Sequence, residues 1–320
     1  MIGTITLNPC VDKTLTISNF TYGGMNRVMT KRIDPSGKGI NVSIILSQLG
    51  IGVRTFGIEY QRGSDFFKKS LEDYNIQYES VVVPGILREN VKILDLENKI
   101  TTELNQKGDY IVSEKSDEFE RFLNYQMGGI NILVISGSVP QGIDKGYYYR
   151  LIKQAKEKGV CCILDAEGEL LVEGMKAKPY LIKPNLYEFE MIYGLKSHNI
   201  KEIIKICKEI IRSGIEVVCL SLGEKGALIA DKEEIYFCKP NSIDVKSTQG
   251  AGDSMVAGIC IALQEGVSLG KMLTYGVAVA QGSLIREGTL LCTREGFEYF
   301  KKIIKIEKIT EDNIEQFEIE

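Results

Sequence analysis

Short apolar runs alternate with longer amphipathic stretches along most of the chain. Runs such as "IGTITLN", "INILVIS" and "VCCILDA" have the length and the β-branched content of buried strands, whereas "GINVSIILSQLG" and "IKEIIKICKEIIRSG" repeat apolar residues at helical spacing. The stretch "SDFFKKSLEDYN" is a further helix with Ser64 as its N-cap. Strands that alternate with helices in this way predict a mostly parallel sheet with helices on both faces.

Two segments break this alternation. Lys13–Asp34 and Ile86–Asn105 alternate apolar and polar residues and contain turn signals, a pattern typical of antiparallel strands with one wet face. If the two segments meet in space, they form a small separate sheet that can act as a lid over a cleft. The chain has no internal repeat, low-complexity tract or linker, so we expect a single domain over residues 1–320 with lid strands from about 13–34 and 86–105.

Composition and charge narrow the class of protein. The chain has 320 residues, of which 44% are hydrophobic and 26% charged, as is typical of a globular protein. Its net charge of −4, without a basic block, gives no reason to expect binding to nucleic acid or to an anionic membrane. No apolar run reaches the ~18 residues of a membrane span, and the N-terminal stretch meets Asn8, Pro9 and Asp12 too early for a signal peptide.

The cysteines and the single histidine remove further classes. The 8 cysteines include no CxxC pair and lie mostly in apolar runs, which is typical of reduced core cysteines in a cytoplasmic protein. The one histidine, His198, lies in the polar stretch "GLKSHNIKE" and is expected at the surface. A histidine-rich metal site is thereby excluded, and a Ser-His-Asp hydrolase would depend on this residue alone.

The strongest chemical signal is "STQGAGDSMVAG" (Ser247–Gly258). Gly250, Ala251 and Gly252 follow the strand-like "SIDVKST" and open an apolar helix, so the unpaired N–H groups of its first turn can approach an anion. Asp253 can then take a proton from a hydroxyl beside that anion, which is what phosphoryl transfer to an alcohol requires. The alternative is a tight turn with an acid that the helix dipole favours.

Two common nucleotide-binding motifs are absent from the sequence. There is no GxxxxGK[ST], so a Walker-type P-loop is excluded. No GxGxxG opens a helix after the first strand, which disfavours a Rossmann-type dehydrogenase.

Several motifs taken together resemble one known family. "SGKGINV" (Ser36–Val42) and "GAGDSMVAG" resemble the two signatures of the PfkB carbohydrate kinases, and "TITLNPCVD", "LRENVK", "ISGSVPQG", "LIKPNLYE" and "SLGEKGA" occur in the family's order. The resemblance covers nearly the whole chain. It implies the ribokinase-like fold, a three-layer α/β/α domain with a small β-sheet lid. The chain looks most similar to the bacterial branch of 1-phosphofructokinases and tagatose-6-phosphate kinases, whose substrates already carry a phosphate.

The resemblance implies a role for each matching residue. Asp253 would be the catalytic base, beside an anion hole formed by Gly250, Ala251 and Gly252. Carboxylates and amides suit sugar hydroxyls, and cations suit a sugar phosphate; the substrate-binding residues would be Asp12, Gly37, Lys38, Gly39, Asn41, Arg88, Asn90 and Arg27. The residues at the ATP phosphates would be Lys183, Asn185, Ser221, Gly223 and Gly226, with Glu188 bound to Mg²⁺ through water.

Each polar candidate also has an ordinary structural explanation. Lys38 could cap a helix or be solvated, and Arg88 and Arg27 could be surface charges on exposed strands. Asn185 and Glu188 could be a helix N-cap and a first-turn acid.

Some positions depart from the family's pattern. Ser36 stands where relatives usually have a glycine, and Gln249 stands where a small or β-branched residue is more usual. The exit from the lid reads "NQKGDY", where the branch commonly has Gly-Pro. Asn8 and Asp12 can each be interpreted as turn residues. These departures concern the sugar more than the reaction.

We therefore predict an ATP- and Mg²⁺-dependent phosphotransferase that acts on a ketohexose monophosphate, with fructose 1-phosphate as the first candidate. A tagatose-6-phosphate kinase, or another sugar or nucleoside kinase of the family, is the near alternative. A non-catalytic sensor of sugar phosphates or nucleotides is the alternative of another class, although a sensor would not need Asp253. The expected partners are ATP and a sugar phosphate, and the exposed lid strands allow a homodimer through the lid.

Overall fold

The computed structural model describes residues 1–195, 199–287 and 290–317, so the expected surface position of His198 falls outside the described residues. Within these residues, ten strands form one sheet and four form another. The strands are β1 (Ile2–Thr6), β2 (Cys10–Ile17), β3 (Thr30–Ser36), β4 (Val53–Arg62), β5 (Tyr78–Ile86), β6 (Arg88–Asp95), β7 (Ile100–Leu104), β8 (Ile132–Ser136), β9 (Cys161–Asp165), β10 (Leu181–Ile182), β11 (Val217–Ser221), β12 (Ala227–Ala230), β13 (Ile235–Cys238) and β14 (Glu307–Lys308). The helices are α1 (Lys38–Gln48), α2 (Ser64–Asp73), α3 (Ser113–Gln126), α4 (Tyr147–Glu157), α5 (Gly168–Met175), α6 (Leu186–Tyr193), α7 (Ile200–Arg212), α8 (Ala251–Glu265), α9 (Leu269–Leu284) and α10 (Arg294–Ile303).

The large sheet has the order β14-β13-β12-β11-β10-β9-β8-β1-β4-β5. The seven strands from β11 to β5 are parallel, and β12, β13 and β14 extend one edge in antiparallel pairs. Every residue of β1 and β8 is buried, which is why these strands, IGTIT and ILVIS, contain no charged residue. The predicted mostly parallel sheet is confirmed.

The helices cover both faces of the large sheet. Helices α1, α8, α9 and α10 contact one another in that order, and α3, α4, α5 and α6 form a second chain of contacts. The first set packs on the sheet through α1 against β1, and the second through α4 against β8 and β9. The core therefore lies in two layers, one on each side of the sheet.

The small sheet has the order β3-β2-β6-β7 and is built from the two segments that break the parallel pattern. We call it the lid sheet. Its outer pairs are antiparallel, but the central pair of β2 and β6 is parallel, from Cys10↔Arg88 to Ile17↔Asp95. The expectation of antiparallel strands was therefore wrong for this pair, because the two segments are separated by α1, β4, α2 and β5 and are free to pair in either direction.

Two local predictions were also wrong. Ser64 is the first residue of α2 rather than its N-cap, which is Gly63 in the left-handed region at φ 83°. The stretch 242–248 is not a strand, because it runs along the surface beyond β13, which is already paired on both sides by β12 and β14. The segment before α8 is thus an irregular loop, held in part by hydrogen bonds from the Lys246 and Ser247 N–H groups to the Leu284 carbonyl.

All eight cysteines lie within the described residues, all are free, and every one except the partly exposed Cys161 is buried. Burial raises the pKa of several of these thiols, for example that of Cys207 to about 12, so they stay protonated and act as small apolar side chains. Among the helices that the structure describes, none is both long and apolar enough to cross a membrane.

Candidate active site

The carboxyl ends of four neighbouring parallel strands meet at one edge of the large sheet. Gly137 follows β8, Asp165 ends β9, Lys183 follows β10 and Ser221 ends β11. Backbone hydrogen bonds tie these ends together, from Gly137 N to Asp165 O and from Ser221 N to Pro184 O. In open parallel sheets this edge is where ligands bind, because polar residues are positioned there by rigid strands.

The N-terminus of α8 points its first turn towards this edge. Its N-cap, Gly250, is in the left-handed region at φ 69°, and a Cβ there would stand 2.7 Å from Leu291 Cδ2. A Cβ on Gly252 would stand 3.4 Å from Lys183 Nζ, so the missing side chain leaves the ammonium group beside the first turn of the helix. N–H groups of a first helical turn lack intrahelical partners and, with this cation, form a site for an anion.

Asp253, in the first turn of α8, is buried and accepts a hydrogen bond from Asn41 Nδ2 at 2.7 Å. Burial raises the pKa of its carboxyl to about 6, and the nearby Lys38 ammonium and the Asn41 bond offset this only in part. A carboxylate with such a pKa is ionised at neutral pH and is a stronger base than an exposed aspartate. Helices α1 and α8, which are distant in sequence, thus bring the Asn41 amide and the Asp253 carboxylate together.

Lys38 and Lys183 share one buried carboxylate. Asp165 Oδ1 lies 3.4 Å from Lys38 Nζ and 3.3 Å from Lys183 Nζ, and its side chain is 1% exposed. Burial acts to raise the pKa of Asp165, but the two ammonium groups outweigh it and keep that pKa below its ordinary value. The same carboxylate raises the pKa of Lys38 well above its ordinary value. Asp165 therefore fixes the two ammonium groups beside α8 and Asp253.

Asn185 and Glu188 have the structural role that the sequence also allowed, as N-cap and first-turn acid of α6. They form a reciprocal capping box on α6, in which Asn185 Oδ1 accepts from Glu188 N at 2.8 Å and Glu188 Oε2 accepts from Asn185 N at 2.9 Å. Burial raises the pKa of Glu188, and Lys38, Lys183 and Asp165 all act on it electrostatically. The capping box therefore holds a second carboxyl, that of Glu188, near Asp165 and its two lysines. The bond from Asn185 N engages only one of the two Glu188 oxygens.

Lid residues form a second polar group across a cleft. Asp12 on β2 is buried and accepts hydrogen bonds from Lys92 Nζ at 2.6 Å and from Asn90 Nδ2 at 3.0 Å. Cys10 and Arg88 flank this group in register, one on each strand. Because β2 and β6 are parallel and in register at Asp12↔Asn90, alternate residues of both strands face the same side.

Arg88 is fixed by backbone and amide oxygens. Its Nε and Nη2 donate to Asn8 O, and its Nη1 donates to Gln106 O at 3.0 Å and to Asn90 Oδ1 at 3.2 Å. Among the described residues, no carboxylate lies within ion-pair distance of its guanidinium. Asn8, interpreted from sequence as a strand-end turn residue, lies in a bend directly after β1. It is buried there and donates through Nδ2 to Lys107 O and Ser138 Oγ.

A cavity of about 790 Å³ lies between the lid sheet and the edge of the large sheet. Its walls include Asn41 and Lys38 from α1, and Arg88, Asn90 and Lys92 from β6. This volume is ample for a sugar phosphate. The cleft predicted from the two pattern-breaking segments therefore exists, and most of the predicted substrate residues line it or lie next to it.

The two glycines of "GKG" have different surroundings. Gly37 lines the cavity at φ 133°, a conformation that L side chains rarely adopt. Gly39 faces β1, since a Cβ there would stand 2.4 Å from Ile5 O and 2.5 Å from Thr6 Oγ1. Close packing of α1 on β1 therefore explains why this residue is a glycine, and the approach of its backbone to the sugar stays a prediction.

The loop after β11 contains the remaining ATP candidates. Ser221 pairs with Asn185 in an isolated parallel bridge, which brings this loop to the start of α6. Gly223, at φ 64°, opens a short 3₁₀ turn, and Gly226, at φ 115°, closes it where a Cβ would stand 2.1 Å from Cys238 O. The glycines are therefore required by the turn into β12, and the loop continues the same polar edge of the sheet.

Arg27 does not lie where the sequence suggested. It is exposed in the loop between β2 and β3, rather than on a lid strand, and it is not among the residues that line the cavity. The period-two pattern was extended too far through "SNFTYGGMNRVM", which the structure shows as turns and coil. Within this chain, Arg27 is thus separate from the other predicted substrate residues.

Sequence reasoning missed three residues of the site. Asp165 could have been noticed as the only acid at the end of a buried apolar strand, "VCCILD", next to the strand that leads to Lys183. Lys92 follows Arg88 and Asn90 at period two, so it shares their face. Asn8 gave no signal, because only the tertiary contact with the 105–108 segment shows its role.

The chain is similar to known proteins in both sequence and fold. The model of the pfkB family of carbohydrate kinases matches residues 5–295. The chain is 31% identical over 288 residues to 1-phosphofructokinase of Bacillus subtilis, covering 90% of this chain and 93% of that protein. It is 34% identical over 282 residues to 1-phosphofructokinase of Escherichia coli K12, covering 87% and 89%. The crystal structure of phosphofructokinase-2 from Escherichia coli in complex with potassium superposes with a TM-score of 0.89 at 28% identity, covering 94% of this chain and 98% of that one.

Proposed function

The chain belongs to the pfkB family of carbohydrate kinases, and on that premise we propose that it transfers a phosphoryl group from ATP to fructose 1-phosphate, yielding fructose 1,6-bisphosphate. It is a phosphotransferase with an alcohol group as acceptor, and its relatives support a fructose phosphate as substrate. The observation that carries the chemistry is a buried carboxylate, Asp253, beside the N-terminus of α8 and two lysines fixed by Asp165.

Asp253 acts as the general base in this mechanism. Its carboxylate takes the proton of the 6-hydroxyl of the sugar as that oxygen attacks the γ-phosphorus of ATP, and the bond between the γ-phosphorus and the bridging oxygen to ADP breaks. Asn41 orients the base through its hydrogen bond at 2.7 Å. Base assistance of this kind contributes about 10²–10⁴ in rate.

The positive groups at the end of the sheet stabilise the phosphoryl group in transfer. The first-turn N–H groups of α8 and the Lys183 ammonium converge at Gly252. Lys38 is held on Asp165 in the same cluster and its charge also acts on Asp253, so we assign it to the transferred phosphoryl group rather than to the phosphate already on the sugar. Fixed charges of this kind stabilise the transition state without reorganisation during the reaction.

The phosphate of the substrate is bound best by cations that have no counter-ion. Five cations line the cavity, and three of them already contact a carboxylate: Lys38 on Asp165, Lys92 on Asp12, and Lys145 on Glu169. The other two, Arg88 and Lys107, have no carboxylate partner among the described residues. Arg88 offers a planar fork and Lys107 a point charge, a combination that suits a phosphate.

A magnesium site fits the residues at the end of β10. No group of three potential ligands that could hold a metal is present in the described parts of the chain, so the protein alone forms no metal cage. Mg²⁺ keeps several waters and takes phosphate oxygens, and one carboxylate, that of Glu188, is enough to hold it through water. When bound with ATP it neutralises phosphate charge.

The test is ADP production from ATP and Mg²⁺ with a panel of acceptors: fructose 1-phosphate, fructose 6-phosphate, tagatose 6-phosphate, fructose, ribose and adenosine. Preference for fructose 1-phosphate supports the proposal. Preference for tagatose 6-phosphate or fructose 6-phosphate keeps the kinase and the phosphate clamp but changes the sugar. Preference for fructose, ribose or adenosine discards the clamp. ATP binding without turnover of any acceptor favours the sensor, and Asp253→Asn controls for contaminating kinases.

We also propose a homodimer through the lid sheet. The face of the lid turned away from the cavity carries Leu15, Ile33 and Ile93 on three neighbouring strands, beside an ion pair of Lys13 with Glu89. On β7, Ile100 and Leu104 are more than half exposed on the same face. A second lid would cover this face. Light scattering of the intact protein, with Leu104→Glu as the variant, tests it: a dimer that becomes a monomer supports the interface.

We also propose a cytoplasmic location. The eight cysteines are free, and the thiols buried in the core have raised pKa values, so they are suited to a reducing compartment. Fractionation of the source cells with detection of the protein tests this location.

A further inference from the structure

One row of four side chains crosses the lid sheet in register. Arg32 on β3 is opposite Thr14 on β2, Thr14 is opposite Lys92 on β6, and Lys92 is opposite Glu103 on β7. We call these four residues the lid row. Lys92 and Glu103 line the cavity, so the lid row lies on the side of the lid sheet that faces the body of the protein, with the Glu103 side chain still exposed to solvent.

The two ends of the lid row contact the body. At one end, Arg32 Nη1 donates to the Glu287 carbonyl at 3.3 Å. At the other end, Gln249 Nε2 donates to Glu103 Oε1 at 3.2 Å. Both edges of the small sheet are thereby attached to segments of the body that adjoin α8.

Both contacted segments hold the N-terminus of α8. Gln249 directly precedes Gly250, the N-cap of that helix. Leu291, four residues after Glu287, packs against Gly250 so closely that a Cβ there would stand 2.7 Å from it. The lid therefore contacts the two segments that flank the N-terminus of α8. Gln249 is the residue directly before the N-cap of that helix.

The contact at Gln249 joins an amide to a carboxylate. Hydrogen bonds to an ionised acceptor are stronger than those between neutral groups. The second Glu103 oxygen accepts from Asn105 Nδ2, and Gln249 Oε1 is buried without a hydrogen-bond partner. The amide is therefore held through its nitrogen, and the direction of the bond, from Gln249 to Glu103, is defined by the chemistry of the pair.

We infer that Gln249 is a positioning residue that couples the placement of the lid to the geometry of the anion hole. The inference rests on the proposed kinase function. The lid carries Arg88, Asn90 and Asp12 over the sugar, while α8 carries Asp253 and the N–H groups that act on the phosphoryl group. The bond from Gln249 to Glu103 connects these two halves directly, so sugar binding under the lid and alignment of the first turn of α8 occur together.

The experiment reverses the bond. Gln249→Glu places two carboxylates against each other, and Glu103→Gln alone keeps an acceptor oxygen for Gln249. The double variant restores a donor and an acceptor with their positions exchanged. Glu97→Gln, on the exposed turn between β6 and β7, is the matched control. Steady-state kinetics with fructose 1-phosphate and ATP are measured for all five proteins, together with hydrogen exchange of the amides at 250–253 with and without the sugar phosphate.

We expect Gln249→Glu to lower kcat/KM for the sugar phosphate at least about 10-fold, with a fall in kcat as well as a rise in KM. Glu97→Gln stays within about 2-fold of the wild type. Glu103→Gln keeps a weaker, neutral bond and falls less than Gln249→Glu, and the double variant recovers to within about 3-fold of the wild type. Protection of amides 250–253 by the sugar phosphate is seen in the wild type, is lost in Gln249→Glu and returns in the double variant.

Other results overturn the inference. If Gln249→Glu is unaffected, the contact has no role in coupling. If the double variant stays as impaired as Gln249→Glu, with the loss confined to KM for ATP, the new carboxylate repels the nucleotide and Gln249 does not act through Glu103. Absence of turnover by the wild type with every acceptor overturns the proposed function, and is distinguished from failure of the inference, which requires an active wild type.

Discussion

The Asp253 carboxylate accepts a hydrogen bond from the Asn41 side chain at 2.7 Å, across 212 residues of sequence. Asn41 lines the cavity under the lid, whereas Asp253 is buried in the first turn of α8. One residue therefore contacts both the sugar cavity and the base. Because burial raises the pKa of Asp253 to about 6, its activity as a base depends on pH within an accessible range.

The first prediction concerns the rate and its pH dependence. Asp253→Asn removes the base, keeps an oxygen that can accept from Asn41, and is expected to lower kcat by about 10²–10⁴ with an unchanged fold. In the wild type, kcat falls as pH drops through about 6, because the carboxyl then carries its proton. A pH–rate profile from pH 5 to 8.5 checks this; an Asp253→Asn protein that keeps the same acid limb, or full activity, contradicts the assignment.

The second prediction concerns the stability given by Asp165. Its folded pKa is lowered, so its ionised form stabilises the protein at pH values above the ordinary carboxyl range, and this contribution is lost as pH falls through the folded pKa. Asp165→Asn leaves Lys38 and Lys183 without their shared counter-ion and is expected to lower the free energy of unfolding by about 3–5 kcal/mol at pH 7.

Urea unfolding at pH 7 and near pH 3 measures this effect. The difference between the wild type and Asp165→Asn should narrow only below about pH 4, where the carboxyl of the unfolded chain begins to take up its proton, and it should be lost as pH falls through the lowered folded pKa of Asp165. Asp144→Asn is the control, since Asp144 forms an exposed ion pair with Arg150 and is 61% exposed. Its loss should cost less than about 1 kcal/mol. Equal losses of unfolding free energy in the two variants would contradict the role of Asp165 as the shared counter-ion of Lys38 and Lys183.

The third prediction concerns the anion hole. Gly252→Ala adds a methyl group 3.4 Å from the flexible end of Lys183, an ordinary contact distance, in a helical residue where alanine is favoured. The melting temperature should therefore not fall. The methyl group nevertheless occupies the space beside the first-turn N–H groups, and kcat/KM for ATP is expected to fall at least about 10-fold. Calorimetry measures the melting temperature and kinetics measure kcat/KM for ATP on the same sample. Unchanged kinetics would contradict the binding of an anion beside Gly252.

The fold was more predictable from the sequence than the site. Buried parallel strands leave short, mostly apolar runs without charges, as in β1 and β8, and helices leave a 3.6-residue period, so the layers follow from local patterns. The parallel pairing of β2 with β6 could not be predicted, because strand partners are set by the packing of distant segments. Lys92 shares a face of β6 with Arg88 and Asn90, and the lid buries that face, so the lysine pairs with Asp12 instead of facing water.

The fourth prediction concerns the two glycines around α1. Gly39→Ala would bring a Cβ to 2.4 Å from Ile5 O, which the strand backbone cannot relieve, and is expected to lower the free energy of unfolding by at least about 2 kcal/mol. Gly52→Ala is the matched control, because no atom lies within 4 Å of its added Cβ. The control should stay within about 0.5 kcal/mol of the wild type in urea unfolding. A stable Gly39→Ala protein with a raised KM for the sugar would instead return Gly39 to the substrate site.

The last prediction concerns Arg88 as the clamp for the substrate phosphate. Arg88→Met removes a guanidinium that has no carboxylate partner among the described residues, and is expected to lower kcat/KM for fructose 1-phosphate by about 10–100-fold. Arg88→Lys keeps the charge but loses the planar fork, so it should lie between Arg88→Met and the wild type.

The turnover of unphosphorylated fructose, measured beside that of fructose 1-phosphate, separates loss of phosphate binding from structural damage. Arg88 also holds the Asn8 and Gln106 carbonyls, and a purely structural loss would lower the turnover of both sugars equally. A clamp instead lowers only the turnover of the phosphorylated sugar, so the ratio of the two kcat/KM values falls. Arg121→Met, which removes an exposed charge from α3, controls for the change in net charge. If that ratio is the same in Arg88→Met as in the wild type, the phosphate of the substrate lies elsewhere in the cavity, and Lys107 becomes the next residue to substitute.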